Sequence, residues 1–256
     1  MHIFDAALLG IVEGITEFLP ISSTGHMILA SQLLHVTQNE LLKNFEIIIQ
    51  LGAICAVVVL YWRSFLNIEI LKRLIVGFIP TGIIGLALYK IVKTYFLGND
   101  YLVLTMLVLG GIALIAFEYF HREQDTATRE SENITYRQAL GIGLFQSLAV
   151  VPGISRSAAT IIGGMLLGLS RPAIVEFSFL LAVPTLGAAT ALDLLKSYST
   201  FSANDIRVLA VGFIAAFLSA LFVIRLLLQY VRTRTFIPFG IYRIVAAILF
   251  WLIILR

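Results

Sequence analysis

GIVEGITEFLPISSTGH, Gly10 to His26, places two glutamates, a Ser-Ser-Thr run and a histidine inside a stretch otherwise apolar enough for a membrane interior. Ionisable groups are costly in hydrocarbon, and those found at membrane depth face protein or a wet cavity and mark functional sites. In the middle of the stretch, LPISSTG combines Pro20, Gly25 and three hydroxyl residues. Such a break would strand backbone hydrogen-bonding groups in lipid unless the chain turned back within protein or lined a cavity. Residues 3–35 therefore read as a re-entrant helical hairpin with a polar tip.

The rest of the chain agrees with a membrane solvent. Of 256 residues, 59% are hydrophobic and 13% charged, where a soluble domain carries about 25% charged residues. Apolar runs long enough to span a bilayer occur at about 46–62, 74–89, 101–120, 176–195, 207–225 and 237–255. A second broken stretch, 137–170, is interrupted by VPGISRS and reads as a second re-entrant hairpin. The net charge of +3 is scattered over loops, with no basic face interleaved with aromatics, so nucleic-acid binding is not expected. The single Cys55 sits in an apolar run and reads as a small buried hydrophobe. The N-terminal MHIFDAALLGIVEG lacks the basic region and cleavage site of a removable signal peptide, so the first apolar segment is expected to remain.

HREQDTATRESENITYR, His121 to Arg137, is the one solvated linker and divides the chain almost in half. The halves resemble each other: GIVEGITEFLPISSTG from Gly10 aligns with GLFQSLAVVPGISRSA from Gly143 at a shift of 133, and VGFI at 76–79 recurs at 211–214, a shift of 135. Phe45 and Phe177 keep step between them. The expected fold is an all-α polytopic membrane protein, one membrane domain over 1–256. Residues 1–120 form a first repeat, 121–136 a cytoplasmic linker and 137–256 a second repeat. With one hairpin and three spans per half, the odd number of crossings inverts the second repeat. Arg63, Lys72, Arg73, Arg122, Arg129, Arg137, Arg232 and Arg234 then fall on one face. Lys43, Lys90, Lys93, Lys196, Arg207 and Arg256 fall on the other, a bias that points the first set to the cytoplasm and both termini outside. The two tips would meet near the midplane, where such folds place a ligand.

Glu13 and Glu17 are four apart and stack on one helix face, where two carboxylates in low dielectric repel unless a cation lies between them. Hard oxygen ligands without clustered Cys or His favour Mg²⁺ or Ca²⁺ over zinc; the competing reading is a pair of structural acids. Ser22, Ser23 and Thr24 fall where the next helix begins, and a helix N-terminus is an anion site, although a serine there can equally be only an N-cap. His26 lies close enough to serve as acid, base or donor. In the second hairpin Ser155, Arg156 and Ser157 occupy an equivalent helix start. Arg156 is the strongest phosphate-binding candidate because its fork matches phosphate oxygens; a salt bridge to Glu13 or Glu17 is the alternative. Arg243, inside the last run, is a weaker anion-binding candidate; pairing with a neighbour or snorkelling is the alternative.

EGITEFLPISSTGH followed by FEIIIQLGAI, then PGISRSAAT and EFSFLLAVP, resembles the bacterial undecaprenyl-diphosphate phosphatase family associated with bacitracin resistance, over essentially the whole chain. The resemblance implies catalytic roles for Glu13, Glu17, Ser23, His26 and Arg156, and a requirement for metal. It further implies hydrolysis of undecaprenyl diphosphate to the monophosphate plus phosphate, in the bacterial inner membrane, with the site open to the periplasm. That activity recycles the lipid carrier for peptidoglycan synthesis. Expected partners are the polyprenyl diphosphate and membrane lipids, with homodimerisation left open. The rival reading is a transporter or flippase of a phosphorylated lipid using the same midplane site, since opposed broken helices also build alternating-access carriers. The close carboxylate pair favours the hydrolase, and the sequence leaves open whether Ser23 or water attacks and whether His26 or a glutamate takes the proton.

Overall fold

The computed structural model describes residues 1–96, 98–121, 127–197 and 205–254. Among them the chain forms ten α-helices and no strand. α1 (Ile3–Thr16) and α2 (Ser23–Leu33) are short; α3 (Glu40–Leu60), α4 (Ile68–Ile91) and α5 (Asp100–Phe120) are long. The same order follows the linker: short α6 (Tyr136–Gln146) and α7 (Arg156–Leu166), then long α8 (Arg171–Ser197), α9 (Ile206–Val231) and α10 (Ile237–Ile254). The chain is an all-α, multi-pass membrane protein.

Five helices, α3, α4, α5, α8 and α9, are long and apolar enough to cross a bilayer. The sixth expected span coincides with α10, whose apolar stretch Ile237–Leu252 is shorter than those five. α3, α4 and α5 also start earlier than the apolar runs, because polar residues outside the runs cap them. Asn39 accepts from the Leu42 N–H, Asn67 from Glu69 and Asn99 from Leu102, each satisfying a backbone donor that a helix start leaves open. Lys43, Lys90 and Arg207 lie in helices, whereas Arg122, Arg256 and the side chains of Lys93 and Lys196 lie outside the described residues.

Helix burial separates centre from rim. The apolar windows of α3 and α8 are 50% and 56% buried, against 17% for α4 and 28% for α5, so α3 and α8 form the middle and α4 and α5 face lipid. Ile75, Ile79, Ile83 and Leu86 on α4, and Ile214, Leu218 and Phe222 on α9, are exposed apolar side chains of the kind a bilayer covers. The interior is packed around α8, where Phe177, Phe179, Leu180 and Leu181 are fully or almost fully buried and Phe179 meets Phe18 edge to face at 5.4 Å.

The short helices are held by small residues. α1 packs along α9 and α6 along α4. A Cβ on Gly10 would collide with the Gly212 carbonyl, and one on Gly143 with the Gly77 carbonyl; backbones approach this closely in membranes where small residues line the contact. In its described part the linker is largely exposed but anchored at a few points. Thr128 accepts from Ser170 at 3.0 Å and donates to Gly168 at 2.9 Å, and the Ser131 hydroxyl bonds Glu176 at 2.8 Å, so this stretch is docked against the α7–α8 turn and α8. Cys55 is a free, half-buried thiol on α3.

Candidate active site

The helix breaks bring the two halves together. After α1 the chain turns through Phe18 to Ile21, and Ser22 takes φ 71° before α2; in the second half Ser155 takes φ 77° before α7. A non-glycine residue in this region costs on the order of 1–3 kcal/mol and persists only where surrounding structure imposes it. Arg243 ties carbonyls beside both positions. Its guanidinium, fully buried on α10, donates to the carbonyls of Pro20 (3.3 Å), Gly153 (2.8 Å) and Ile154 (3.0 Å) in the two breaks, and to Met106 and Leu107 on α5. Arg243 therefore does not snorkel; its neighbours are five backbone carbonyls, and no carboxylate meets it among the described residues.

With the tips fixed, Glu17 becomes the meeting point. Ser23 at the start of α2 donates to Glu17 Oε2 at 2.5 Å, and Arg156 Nη2 from α7 lies 3.3 Å from Glu17 Oε1. The Arg156 and Glu17 side chains are only 8% and 5% exposed, so this ion pair is strongly felt and costly to break. Arg156 is held from behind by Ser178 on α8, whose carbonyl accepts from Nη1 at 2.8 Å and whose hydroxyl accepts at 3.2 Å; that hydroxyl is also 2.7 Å from Thr160 Oγ1. Arg156 Nε has no hydrogen-bond partner among the described residues although it is buried. A buried guanidinium N–H without an acceptor is expensive, and here it is a donor that a ligand oxygen can satisfy.

Glu13 is buried one turn before Glu17. It feels the charge of Glu17 and of Glu46 on α3, and its carboxylate forms no hydrogen bond or ion pair among the described residues. These acids do not converge into a protein-only cage, since no group of three His, Cys, Asp or Glu able to hold an ion occurs among the described residues. Two carboxylates with one uncompensated suit a hard divalent cation that takes its remaining ligands from phosphate and water.

The other expected residues divide. Ser157 donates to the Phe18 carbonyl at 2.8 Å and ties α7 to the first break, and Ser155 caps α7 by accepting from the Ala158 N–H. Ser22 is the N-cap of α2, yet its side chain makes no cap bond, so the start of α2 is not closed by its own serine as α7 is. Thr24 is exposed and its side chain makes no hydrogen bond among the described residues, so it stands outside the cluster. His26 is buried but engaged elsewhere: Nδ1 is 2.8 Å from the Ser22 carbonyl and Nε2 is 2.9 Å from the Tyr242 hydroxyl, with the rings stacked at 5.4 Å. A carbonyl only accepts, so Nδ1 carries the hydrogen and Nε2 of the neutral ring accepts from Tyr242.

Three supporting residues escaped the sequence reading. Ser178, Tyr242 and Glu46 sit in apolar helical runs, where an isolated hydroxyl or acid has no local signature. The alignment of Phe45 with Phe177, and the stretches FEIIIQLGAI and EFSFLLAVP around them, pointed near two of them, because Glu46 and Ser178 are the next residues in each.

The chain is 53% identical over 252 residues to an undecaprenyl-diphosphatase of Sulfurihydrogenibium sp. (strain YO3AOP1), covering 98% of this chain and 99% of that protein. It is 50% identical to the undecaprenyl-diphosphatase of Persephonella marina, covering both chains completely, and 49% identical to that of Aquifex aeolicus over 96% of each. Residues 6–249, which contain both breaks and every residue of the Glu17 cluster, match the family described as Bacitracin resistance protein BacA, and the chain belongs to that family.

Proposed function

We propose that this chain hydrolyses undecaprenyl diphosphate to undecaprenyl phosphate and inorganic phosphate, recycling the lipid carrier for peptidoglycan synthesis and so conferring bacitracin resistance. One observation carries the reading: the buried Glu17 carboxylate joins a serine hydroxyl from one half of the chain to an arginine from the other. A proton acceptor, a nucleophile and a phosphate-binding cation thus occupy one apolar enclosure, in which electrostatic stabilisation of a transferring phosphoryl group is strong.

Ser23 Oγ attacks the terminal phosphorus as its proton passes to Glu17 Oε2, with which it is already hydrogen bonded. The bond from that phosphorus to the bridging oxygen breaks, and the bridging oxygen leaves as part of undecaprenyl phosphate. Glu17 gives that proton up to the departing undecaprenyl phosphate; water then attacks the phosphoserine phosphorus, its proton passes through Glu17 to the Ser23 oxygen as the serine–phosphorus bond breaks, and inorganic phosphate is released. Arg156 stays anchored on Ser178 through Nη1 while Nη2 and the unpartnered Nε bind phosphoryl oxygens. His26 is favoured less as the base at Ser23, because both of its nitrogens are occupied by Ser22 and Tyr242; its role is to hold the start of α2 in place. Glu13 and Glu17 would hold Mg²⁺ or Ca²⁺, which would neutralise charge on the diphosphate.

The site is taken to open to the periplasmic side of the bacterial inner membrane, with the prenyl tail left in lipid and the linker on the cytoplasmic side. Residues 1–120 and 137–256 are read as inverted repeats; the matching helix order, the reciprocal α1–α9 and α6–α4 packing and the positive φ at Ser22 and Ser155, 133 positions apart, support this. The test is phosphate release from undecaprenyl diphosphate by purified protein, with Ser23→Ala and Glu17→Gln beside it. Turnover by the parent and its loss in both variants is the expected result. No release by the parent overturns the function, and full turnover by Ser23→Ala overturns the serine nucleophile.

A further inference from the structure

A cavity of about 390 Å³ opens where the described end of the linker meets the ends of α8, α9 and α10, lined by Arg129, Ser170, Arg171, Arg232, Arg234 and Thr235 among others. None of its lining residues belongs to the Glu17 cluster. Its walls are fixed by buried contacts: Arg171 pairs with Glu118 at 2.6 Å, Glu118 also accepts from the Phe236 N–H at 2.9 Å, and Thr128 bonds both Gly168 and Ser170.

The charge balance is unequal. The positive charge of Arg171 is met by Glu118, but Arg129, Arg232 and Arg234 make no ion pair among the described residues. Three guanidinium groups around one concave space, with no acid of their own, complement an anion bearing several oxygens, and Arg forks match phosphate in particular. The cavity lies at the ends of membrane-crossing helices, the depth at which phospholipid headgroups lie, and basic pockets between such helix ends bind anionic headgroups.

We propose that this cavity is a second phosphate-binding site, distinct from the Glu17–Arg156 site, that receives the phosphate of an anionic membrane lipid headgroup. Free inorganic phosphate shares the chemistry, so the experiment separates the two sources. Detergent-purified protein is incubated with phosphatidylglycerol or phosphatidylcholine, and retained lipid is read by native mass spectrometry for the parent, for Arg232→Gln/Arg234→Gln, for Arg129→Gln and for Arg156→Ala. Phosphatidylglycerol should be retained over phosphatidylcholine. Its affinity should fall about tenfold or more in the double variant, less in Arg129→Gln, and not in Arg156→Ala. All three arginines are exposed, and unchanged diphosphate hydrolysis by the double variant in detergent verifies its fold. Displacement of the lipid by millimolar inorganic phosphate means that the pocket reads the phosphate alone; retention against it means that the lipid headgroup is required. Equal retention of the two lipids, or equal phosphatidylglycerol affinity in parent and double variant, overturns the proposal.

Discussion

Arg243→Met is the substitution most revealing of how this site is assembled. Two effects oppose each other. Removing a buried guanidinium that has no carboxylate partner relieves a desolvation cost, and replacing buried charge by an apolar side chain of similar size is often neutral or stabilising. Against that, Arg243 is the sole hydrogen-bond donor, among the described residues, to the carbonyls of Pro20, Gly153 and Ile154, which lie in breaks outside regular helix. Met106 and Leu107 lie within α5 and keep helical partners. Three orphaned carbonyls at about 1–3 kcal/mol each give a loss of at least about 3 kcal/mol. The breaks are enclosed, so the carbonyl term should win. For a chain of this size that corresponds to a fall in melting temperature of about 6–12 °C. Turnover should fall as well, since Pro20 and Ile154 stand three and two residues before Ser23 and Arg156, and misplacing reacting groups by about 1 Å can cost a hundredfold. Arg243→Lys, with three donors instead of five, should lie between. Gly110→Ala should reproduce part of the defect, because its Cβ would collide with the Arg243 guanidinium. Thermal unfolding in detergent and phosphate release are measured together. An Arg243→Met protein as stable and as active as the parent would refute the role assigned to those carbonyl contacts.

Arg156→Ala should lose about 3 kcal/mol of transition-state stabilisation, roughly a hundredfold in rate, with Arg156→Lys recovering only part; recovery of activity by adding Glu17→Gln would instead mean that Arg156 merely neutralises the acid. Excess EDTA should abolish phosphate release and added Mg²⁺ or Ca²⁺ restore it, with Glu13→Gln raising the metal concentration required; undiminished hydrolysis in chelator would remove the metal from the mechanism. Gly153→Ala should destabilise the protein by more than about 1 kcal/mol, since φ is 94° and a Cβ there would press on the Val103 carbonyl and Met106; a melting temperature equal to the parent's would show that the second break relaxes freely. Accessibility labelling of Ser131→Cys and of a C-terminal tag should find them on opposite sides of the membrane, and labelling on one side would refute the inverted arrangement.

Much of this protein was readable along the chain, and the reason is the solvent. Hydrocarbon leaves backbone groups no partner outside helix, so a long apolar run means a membrane helix, and Pro20 or Gly153 inside such a run means a break enclosed by protein. The same logic marks Glu13, Glu17 and Arg156 as functional, because charge at that depth needs a purpose. Helix ends were less legible: α3 begins at Glu40 and α4 at Ile68, where asparagine caps rather than hydropathy set the boundary. What the sequence by itself could not determine is which side chains meet. Arg156 and Glu17 are separated by 139 positions, Arg243 and Pro20 by 223, and His26 and Tyr242 by 216. Those pairings follow from the rotation and depth at which helices pack, which small residues such as Gly10 and Gly143 permit but do not announce. Tertiary structure therefore decided that Ser23 donates to Glu17 rather than to His26, that Thr24 faces away, and that Arg243 ties the two tips together, because each outcome depends on distances between helices that no local periodicity carries.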